Sequence, residues 1–134
     1  MGKQAWDSAP KILEEIVFQK SGDREAQRKA VFSVSQLPDH RGIPILTRIA
    51  TTHYDNEIKE EGIFWIGQTG DQAEGKFLQR IAMKDPNLNV RKKAVFSLSQ
   101  MKRKIGIPYL KEIADAHPES EMSKEAMFWL AQMK

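Results

Sequence analysis

Side chains that could perform acid–base or metal chemistry are few and scattered in this chain. The histidines are His40, His53 and His117, and the last two recur at equivalent positions too far apart to share a metal ion. Cysteine is absent, which excludes disulfides, thiolate zinc sites and cysteine nucleophiles. No zinc-binding His-Glu-x-x-His phrase, phosphate-binding glycine loop or nucleophile elbow occurs. We therefore expect a protein that is not an enzyme and that needs no metal and no cofactor.

A different set of residues recurs with a fixed spacing. An eight-residue phrase that begins with a charged residue and ends in glutamine appears four times, 32 residues apart, at 29–36, 61–68, 93–100 and 125–132. Its fourth residue is always phenylalanine, namely Phe32, Phe64, Phe96 and Phe128. Its last residue is always glutamine, namely Gln36, Gln68, Gln100 and Gln132. Aromatic side chains are common binding anchors, and glutamine amides can bond to a partner's main chain.

These phrases fall on the second of two helices in each predicted repeat. Leu13, Leu46, Leu78 and Leu110 recur at intervals of 33, 32 and 32 residues, and each is followed three residues later by isoleucine, as on one face of a helix. Asp23, Asp55 and Asn87 precede the second helices of the first three repeats, and Glu119-Ser120 precede that of the fourth, as N-caps do. We predict one domain, residues 1–134, with repeats at about 5–37, 42–69, 73–101 and 105–134. His53 and His117 are expected at first-helix C-termini, where the helix dipole favours a partly charged imidazole.

The pattern resembles HEAT repeats, in particular the bacterial HEAT-like group that includes phycobilin-lyase-type repeats. Pro44 and Pro108 match the family's first-helix proline. The family's Asp…Val-Arg signature is complete in the third repeat alone, as Asp85, Val90 and Arg91. The resemblance implies an all-α, right-handed α-solenoid of four two-helix repeats, about eight helices. It also implies that the second helices line a concave face.

On a helical wheel, the four phenylalanines lie in the polar arc of the second helix. One interpretation is an exposed ladder that grips a protein or peptide segment with help from the glutamines. The other is that each ring packs between neighbouring second helices and serves the core. Residues Lys29, Glu61, Lys93 and Glu125 alternate in charge at one repeat position. They would either select a partner of mixed charge or form a row of interhelical ion pairs.

The sequence also carries a longer period. Residues 29–68 and 93–132 match at nearly half of their positions, which indicates duplication of a block of two repeats. Ser33 and Ser97 alternate with Trp65 and Trp129 at one position. We expect the tryptophans to fill the space around the small serines.

Charge and composition leave a rival function. The chain is 40% hydrophobic and 29% charged with a net charge of +3, which suits a folded protein and does not by itself indicate nucleic acid. Basic clusters at 91–93 and 102–104 favour a nucleic-acid-binding module. Glu57, Glu61 and Glu125 interrupt them, whereas a phosphate-binding groove should be continuously positive. We therefore prefer a protein partner over nucleic acid.

The last helix carries apolar residues where earlier repeats contact a following repeat. Met127 holds that position in the fourth repeat, so end-to-end self-association through an uncapped C-terminal repeat is expected unless the chain is part of a longer array. An engineered or excised array with no partner of its own is a further alternative. No apolar run is long enough to span a membrane, and no secretion signal is visible. The compartment is therefore not identified, with the cytoplasm as the default expectation.

Overall fold

The protein is built from helices joined by short turns. The computed structural model describes residues 5–20 and 22–133, and within these ranges it contains no β-strand. Its α-helices are α1 (Ala5–Phe18), α2 (Arg24–Ser35), α3 (Ile43–Thr52), α4 (Asn56–Thr69), α5 (Gln72–Lys84), α6 (Leu88–Gln100), α7 (Ile107–Ala116) and α8 (Glu121–Gln132). The predicted all-α class with eight helices is confirmed for the described residues.

The helices gather into two compact units, residues 1–65 and residues 66–134. In the first unit, α1 packs on α2 and α3, and α2 packs on α3. In the second unit, α5 pairs with α6 and α7 pairs with α8, while α5 lies against α7 and α6 against α8. First helices therefore stack on first helices in the second unit, and second helices on second helices, as in a solenoid. That the four repeats form one domain stays a prediction.

The second helices α2, α6 and α8 begin at the predicted caps. Asp23 Oδ2 accepts a hydrogen bond from the Ala26 N–H at 3.3 Å, and Asn87 Oδ1 accepts one from the Val90 N–H at 3.0 Å. Ser120 Oγ accepts the Ser123 N–H at 3.2 Å. Each bond satisfies a main-chain donor that the first turn of a helix leaves without a partner. These caps fix where the helices that carry the phenylalanines start.

Two tight turns link a second helix to the next first helix within a unit. They contain the 3-10 segments Pro38–His40 and Lys102–Lys104. Asp39, His40, Arg103 and Lys104 have φ values between 51° and 58°, a left-handed conformation that non-glycine residues adopt at an energetic cost. Gly106 follows the second turn, and a Cβ atom built on it would lie 1.8 Å from the main-chain oxygen of Leu98. Glycine is therefore required there because the start of α7 touches the main chain of α6.

The core follows the predicted leucine and isoleucine face, except on α1. Leu46, Ile49, Leu110 and Ile113 are almost completely buried. Ile16 of α1 occupies the same repeat position as Ile49 and Ile113 but is 37% exposed. The reason is positional, because α3 packs on α1 and α7 packs on α5. Burial of this isoleucine therefore depends on an earlier first helix.

Candidate functional site

Phe32, Phe64 and Trp65 form an aromatic cluster in the first unit, here called cluster 1. Phe32 lies on α2, and the other two lie on α4. The ring centroid of Trp65 is 5.2 Å from that of Phe32, at 64° between planes. It is 5.0 Å from that of Phe64, at 83°. Both contacts are the edge-to-face type that aromatic rings favour, so Trp65 joins the phenylalanines of two successive repeats.

Phe96, Phe128 and Trp129 repeat this arrangement in the second unit and form cluster 2. Phe96 lies on α6, and the other two lie on α8. The Trp129 centroid is 5.0 Å from that of Phe96 at 65° and 5.0 Å from that of Phe128 at 84°. The duplicated two-repeat block therefore builds the same three-ring cluster twice. The alternation of serine with tryptophan at one position was the sequence signal for this pairing.

Exposure divides the four phenylalanines into two kinds. Phe32 is 48% exposed and Phe128 is 53% exposed, whereas Phe64 and Phe96 are half-buried. Each ring nevertheless has a tryptophan contact. Packing and exposure therefore occur together, because Phe32 and Phe128 touch a tryptophan and still present an open face. That these rings bind a partner stays a prediction.

Two of the four exposed glutamines are held by a neighbouring serine. The Gln36 side-chain amide donates to Ser35 Oγ at 3.0 Å, and that hydroxyl donates to the main-chain oxygen of Phe32 at 2.5 Å. Gln100 repeats this chain through Ser99 to Phe96 at 3.1 and 2.5 Å. Gln68 and Gln132 are exposed on α4 and α8. In Gln36 and Gln100, the preceding serine orients the side-chain amide before any partner binds. The side-chain carbonyl oxygen of each glutamine takes no part in that bond to serine.

Charged residues beside the clusters form interhelical pairs, but with a shift of one residue. Glu61 lies 3.5 Å from Arg28, and Glu125 lies 3.8 Å from Lys92. Their partners thus precede the predicted lysines Lys29 and Lys93 by one position. Side chains on a helix lean toward its N-terminus, and the wheel alone does not give the register between two helices.

The two predicted lysines make other contacts. Lys29 lies 3.9 Å from Glu25 on its own helix. The ammonium group of Lys93 lies 5.3 Å from the ring centroid of Phe96, within the range of a cation–π contact. Cluster 2 therefore carries a positive charge beside one of its rings.

An ion pair links the N-terminal ends of the two helices that carry cluster 1. Arg24 Nε donates to Asp55 Oδ2 at 2.8 Å, and Arg24 also pairs with Glu57. Partial burial acts to raise the pKa of Asp55, but the hydrogen bonds from Arg24 and from the main-chain N–H groups of Glu57 and Ile58 outweigh it, so the pKa lies below its ordinary value. The hydrogen bond to Asp55 raises the pKa of Arg24.

His53 lies at the C-terminal end of the first helix α3, as predicted, but in a buried position. His53 is 4% exposed, and its Nε2 lies 2.7 Å from the main-chain oxygen of Val17. The ring therefore joins α3 to α1 and does not lie at an open helix end. His117, in contrast, is exposed. Across residues 5–20 and 22–133, no group of three or more histidine, aspartate or glutamate side chains could hold a metal ion.

The departures from the HEAT signature also have a structural role that sequence reasoning missed. Arg91 donates to the main-chain oxygen of Asp85 at 2.6 Å. At the same repeat position, Gln27 donates to the oxygen of Gln19 at 2.8 Å, and Ser123 donates to that of Ile113 at 2.8 Å. Different side chains at this position therefore each bond to a main-chain oxygen at or near the end of the preceding first helix.

Comparison with known proteins agrees with this architecture. A family profile described as HEAT repeats matches residues 43–131. No curated protein matches the chain. None of the helices in the described part of the chain has the length and apolar character needed to cross a membrane. HEAT repeats commonly serve as protein-interaction scaffolds, and the family is typically not enzymatic. With about two thirds of its length matched, the chain belongs to the HEAT repeat family.

Proposed function

We propose that this protein is a non-catalytic scaffold that binds a protein or peptide segment along the face of its second helices, the concave face of a HEAT array. Clusters 1 and 2 supply the anchors, with the predicted glutamines and charged residues around them. The observation that supports this most is the pair of half-exposed rings, Phe32 and Phe128, each within reach of a tryptophan. The proposal treats each cluster as a binding point of its own.

The physical argument rests on preorganisation. An exposed phenylalanine on a free helix would lose side-chain entropy on binding, which weakens the interaction. In cluster 1, Trp65 contacts both phenylalanine rings edge-to-face, so part of that ordering is already present before a partner arrives. Aromatic residues in such settings account for a large share of interface energies. An apolar or aromatic side chain of the partner would lie on the open face of each cluster.

The charges around the clusters favour a protein over a polyanion. Arg24, Arg28 and Lys92 are each paired with a glutamate or aspartate of the following second helix. A phosphate backbone would have to replace these carboxylates, whereas a segment with both signs of charge would not. Oriented Gln36 and Gln100 suit main-chain amides of an extended segment.

The test uses a displayed library of random twelve-residue peptides. Peptides selected on the whole protein are titrated against it, with tryptophan fluorescence as the signal because Trp65 and Trp129 lie inside the clusters. We expect Phe32→Ala or Phe128→Ala to weaken binding at least about 30-fold, the loss typical of an interface hot spot. Met83→Ala is the matched control, since Met83 is an exposed apolar residue on the first helix α5.

Three results would contradict the proposal. The first is a library that yields no binder. The second is a set of binders whose affinities the two phenylalanine substitutions leave unchanged while Met83→Ala lowers them. The third is tight, salt-sensitive binding of a random single-stranded oligonucleotide at low salt, which is what the nucleic-acid alternative requires. Thermal unfolding of each variant shows that any loss reflects binding, because half-exposed rings contribute little to the core.

The predicted end-to-end self-association is a separate proposal. It concerns the outer faces of the first and fourth repeats and uses neither aromatic cluster as its anchor.

A further inference from the structure

The first helix of the chain has an apolar face that its equivalents bury. Ile16 is 37% exposed, whereas Ile49 and Ile113, at the same repeat position, are 0% and 1% exposed. Ile49 lies on α3, which packs on α1, and Ile113 lies on α7, which packs on α5. Ile12, one helical turn earlier on α1, is also exposed. We call Ile12, Ile16 and their neighbours on α1 and α2 the head face.

The last repeat has the complementary feature. Met127 on α8 is 46% exposed, whereas Val31 and Val95, at the same repeat position, are fully buried. Val31 lies on α2, which packs on α3, and Val95 lies on α6, which packs on α7 and α8. A residue at this repeat position is therefore buried where another pair of helices follows it. We call Met127 and its neighbours on α7 and α8 the tail face.

Contacts between successive first helices show which charges would meet if a tail face stacked on a head face. Glu14 of α1 pairs with Arg48 of α3, and Gln79 of α5 donates to Glu112 of α7 at 2.7 Å. In both pairs, the residue of the earlier repeat directly follows that repeat's leucine, Leu13 or Leu78. The residue of the later repeat lies two positions after its own leucine, Leu46 or Leu110. The corresponding residues are Lys111 on the tail face and Glu15 on the head face. Both are exposed and carry opposite charges.

Contacts between successive second helices have a consistent polarity. The earlier helix supplies the base and the later helix the acid, as in Arg28 with Glu61 and Lys92 with Glu125. Lys124 holds the basic position on the tail face. At the position where the later helix carries glutamate in those pairs, the head face has Lys29, which lies 3.9 Å from Glu25. The register is therefore complementary in charge at the first helices, through Lys111 and Glu15, and places Lys124 near the Lys29–Glu25 pair at the second helices.

We propose that the tail face of one copy docks on the head face of a second copy, in the register that joins successive repeats. Ile12 and Ile16 would be covered by α7 of the other copy, and Met127 by its α1 and α2. Lys111 would pair with Glu15 across the contact. Such a contact uses two different faces, so each added copy leaves one head and one tail free. Association is therefore stepwise and depends on protein concentration and, through its ion pair, on salt.

The test is sedimentation velocity over a range of concentrations at low salt, with three samples of the whole protein. Wild type should form species larger than dimers as the concentration rises. Ile16→Asp removes the head face and Met127→Asp removes the tail face, so each variant alone should be monomeric. An equimolar mixture keeps one intact head and one intact tail, and should form a heterodimer that grows no further.

A charge exchange tests the register with less risk to the fold. Lys111→Glu or Glu15→Lys alone should weaken association several-fold, and the protein with both changes should regain it. Circular dichroism melting verifies that every variant is folded. A wild type that stays monomeric at all concentrations would overturn the proposal, and so would an Ile16→Asp variant that dimerises by itself through two tail faces. Peptide binding by the clusters is measured independently, so the failure of one proposal leaves the other unaffected.

Discussion

His53 and Val17 are joined by a buried hydrogen bond, with 2.7 Å between the imidazole Nε2 and the main-chain oxygen. Because the oxygen can only accept, Nε2 carries the proton. Nδ1 accepts a hydrogen bond from the Asp55 main-chain N–H at 2.9 Å. A neutral ring therefore satisfies a carbonyl at the end of α1 and an amide at the start of α4 at the same time.

Replacing His53 with phenylalanine keeps the ring but removes both bonds. The Val17 oxygen and the Asp55 N–H would be left without these partners, at a cost of about 1–3 kcal/mol for each buried group. Urea unfolding should show this loss, whereas His117→Phe, at the equivalent exposed position, should change stability by less than about 0.5 kcal/mol. Equal effects of the two substitutions would show that the hydrogen bonds of His53 do not stabilise the fold.

Gly106→Ala should destabilise the second unit strongly. The added methyl group would lie 1.8 Å from the Leu98 oxygen and 2.6 Å from its carbon, so the main chain itself would have to move. Overpacking of this kind costs about 1–3 kcal/mol or more. Gly62→Ala is the control, because its nearest neighbour is a side-chain atom of Ile49 at 3.0 Å and alanine gains about 1 kcal/mol of helix propensity. A Gly106 variant as stable as the Gly62 variant would contradict the close contact.

Lys104→Gly should have the opposite effect and raise stability. Lys104 has a φ of 56°, and a side chain in this left-handed region costs about 1–2 kcal/mol. Glycine adopts the conformation freely but loses more entropy on folding, so a net gain of about 0.5–1 kcal/mol is expected. Lys111→Gly, in the ordinary helical turn of α7, should instead lower stability by about 1 kcal/mol. The denaturant midpoints of both variants show whether each substitution raises or lowers the stability.

Arg24→Gln should change how stability depends on pH. The pKa of Asp55 is lower in the folded state than its ordinary value, so the folded protein binds fewer protons and stability rises with pH through that range. The contribution is complete above the unfolded pKa of about 3.9 and is lost as pH falls through the folded pKa. Arg24→Gln should therefore be less stable than wild type at pH 7, and the difference should shrink below about pH 4.

A matched change elsewhere separates this effect from a general loss of positive charge. Arg80→Gln removes an exposed arginine on α5 and should shift the stability curve without changing its slope at acidic pH. If both arginine variants lost the same stability at pH 7 and at pH 3, the Arg24–Asp55 pair would not be the cause.

The helices and their caps were predictable because they depend on local information. Periodic leucine and isoleucine residues mark one face of each first helix, and Asp23, Asn87 and Ser120 lie where a side-chain oxygen can cap the next helix. The HEAT resemblance was also predictable, although one repeat alone carries the full signature. The hydrogen bonds made by Gln27 and Ser123 explain why the fold does not require arginine at this position.

The details of the site were less predictable because they depend on the register between helices. A wheel places Phe32 in a polar arc, but it does not reveal that Trp65 of another helix reaches it at 5.2 Å. The same limitation explains why the helical wheel pairs Glu61 with Lys29, whereas its partner in the structure is Arg28. The left-handed turn at Arg103 and Lys104 carries no glycine at those positions, so its sequence gives no signal for a positive φ.

The contact between Gly106 and Leu98 has a mechanical consequence. Main-chain atoms of α6 and the start of α7 touch directly, with no flexible side chain between them to absorb a displacement. A movement of α7 toward α6 would therefore be resisted at once by repulsion between the two main chains. Under compression, this pair of helices should behave as one rigid body.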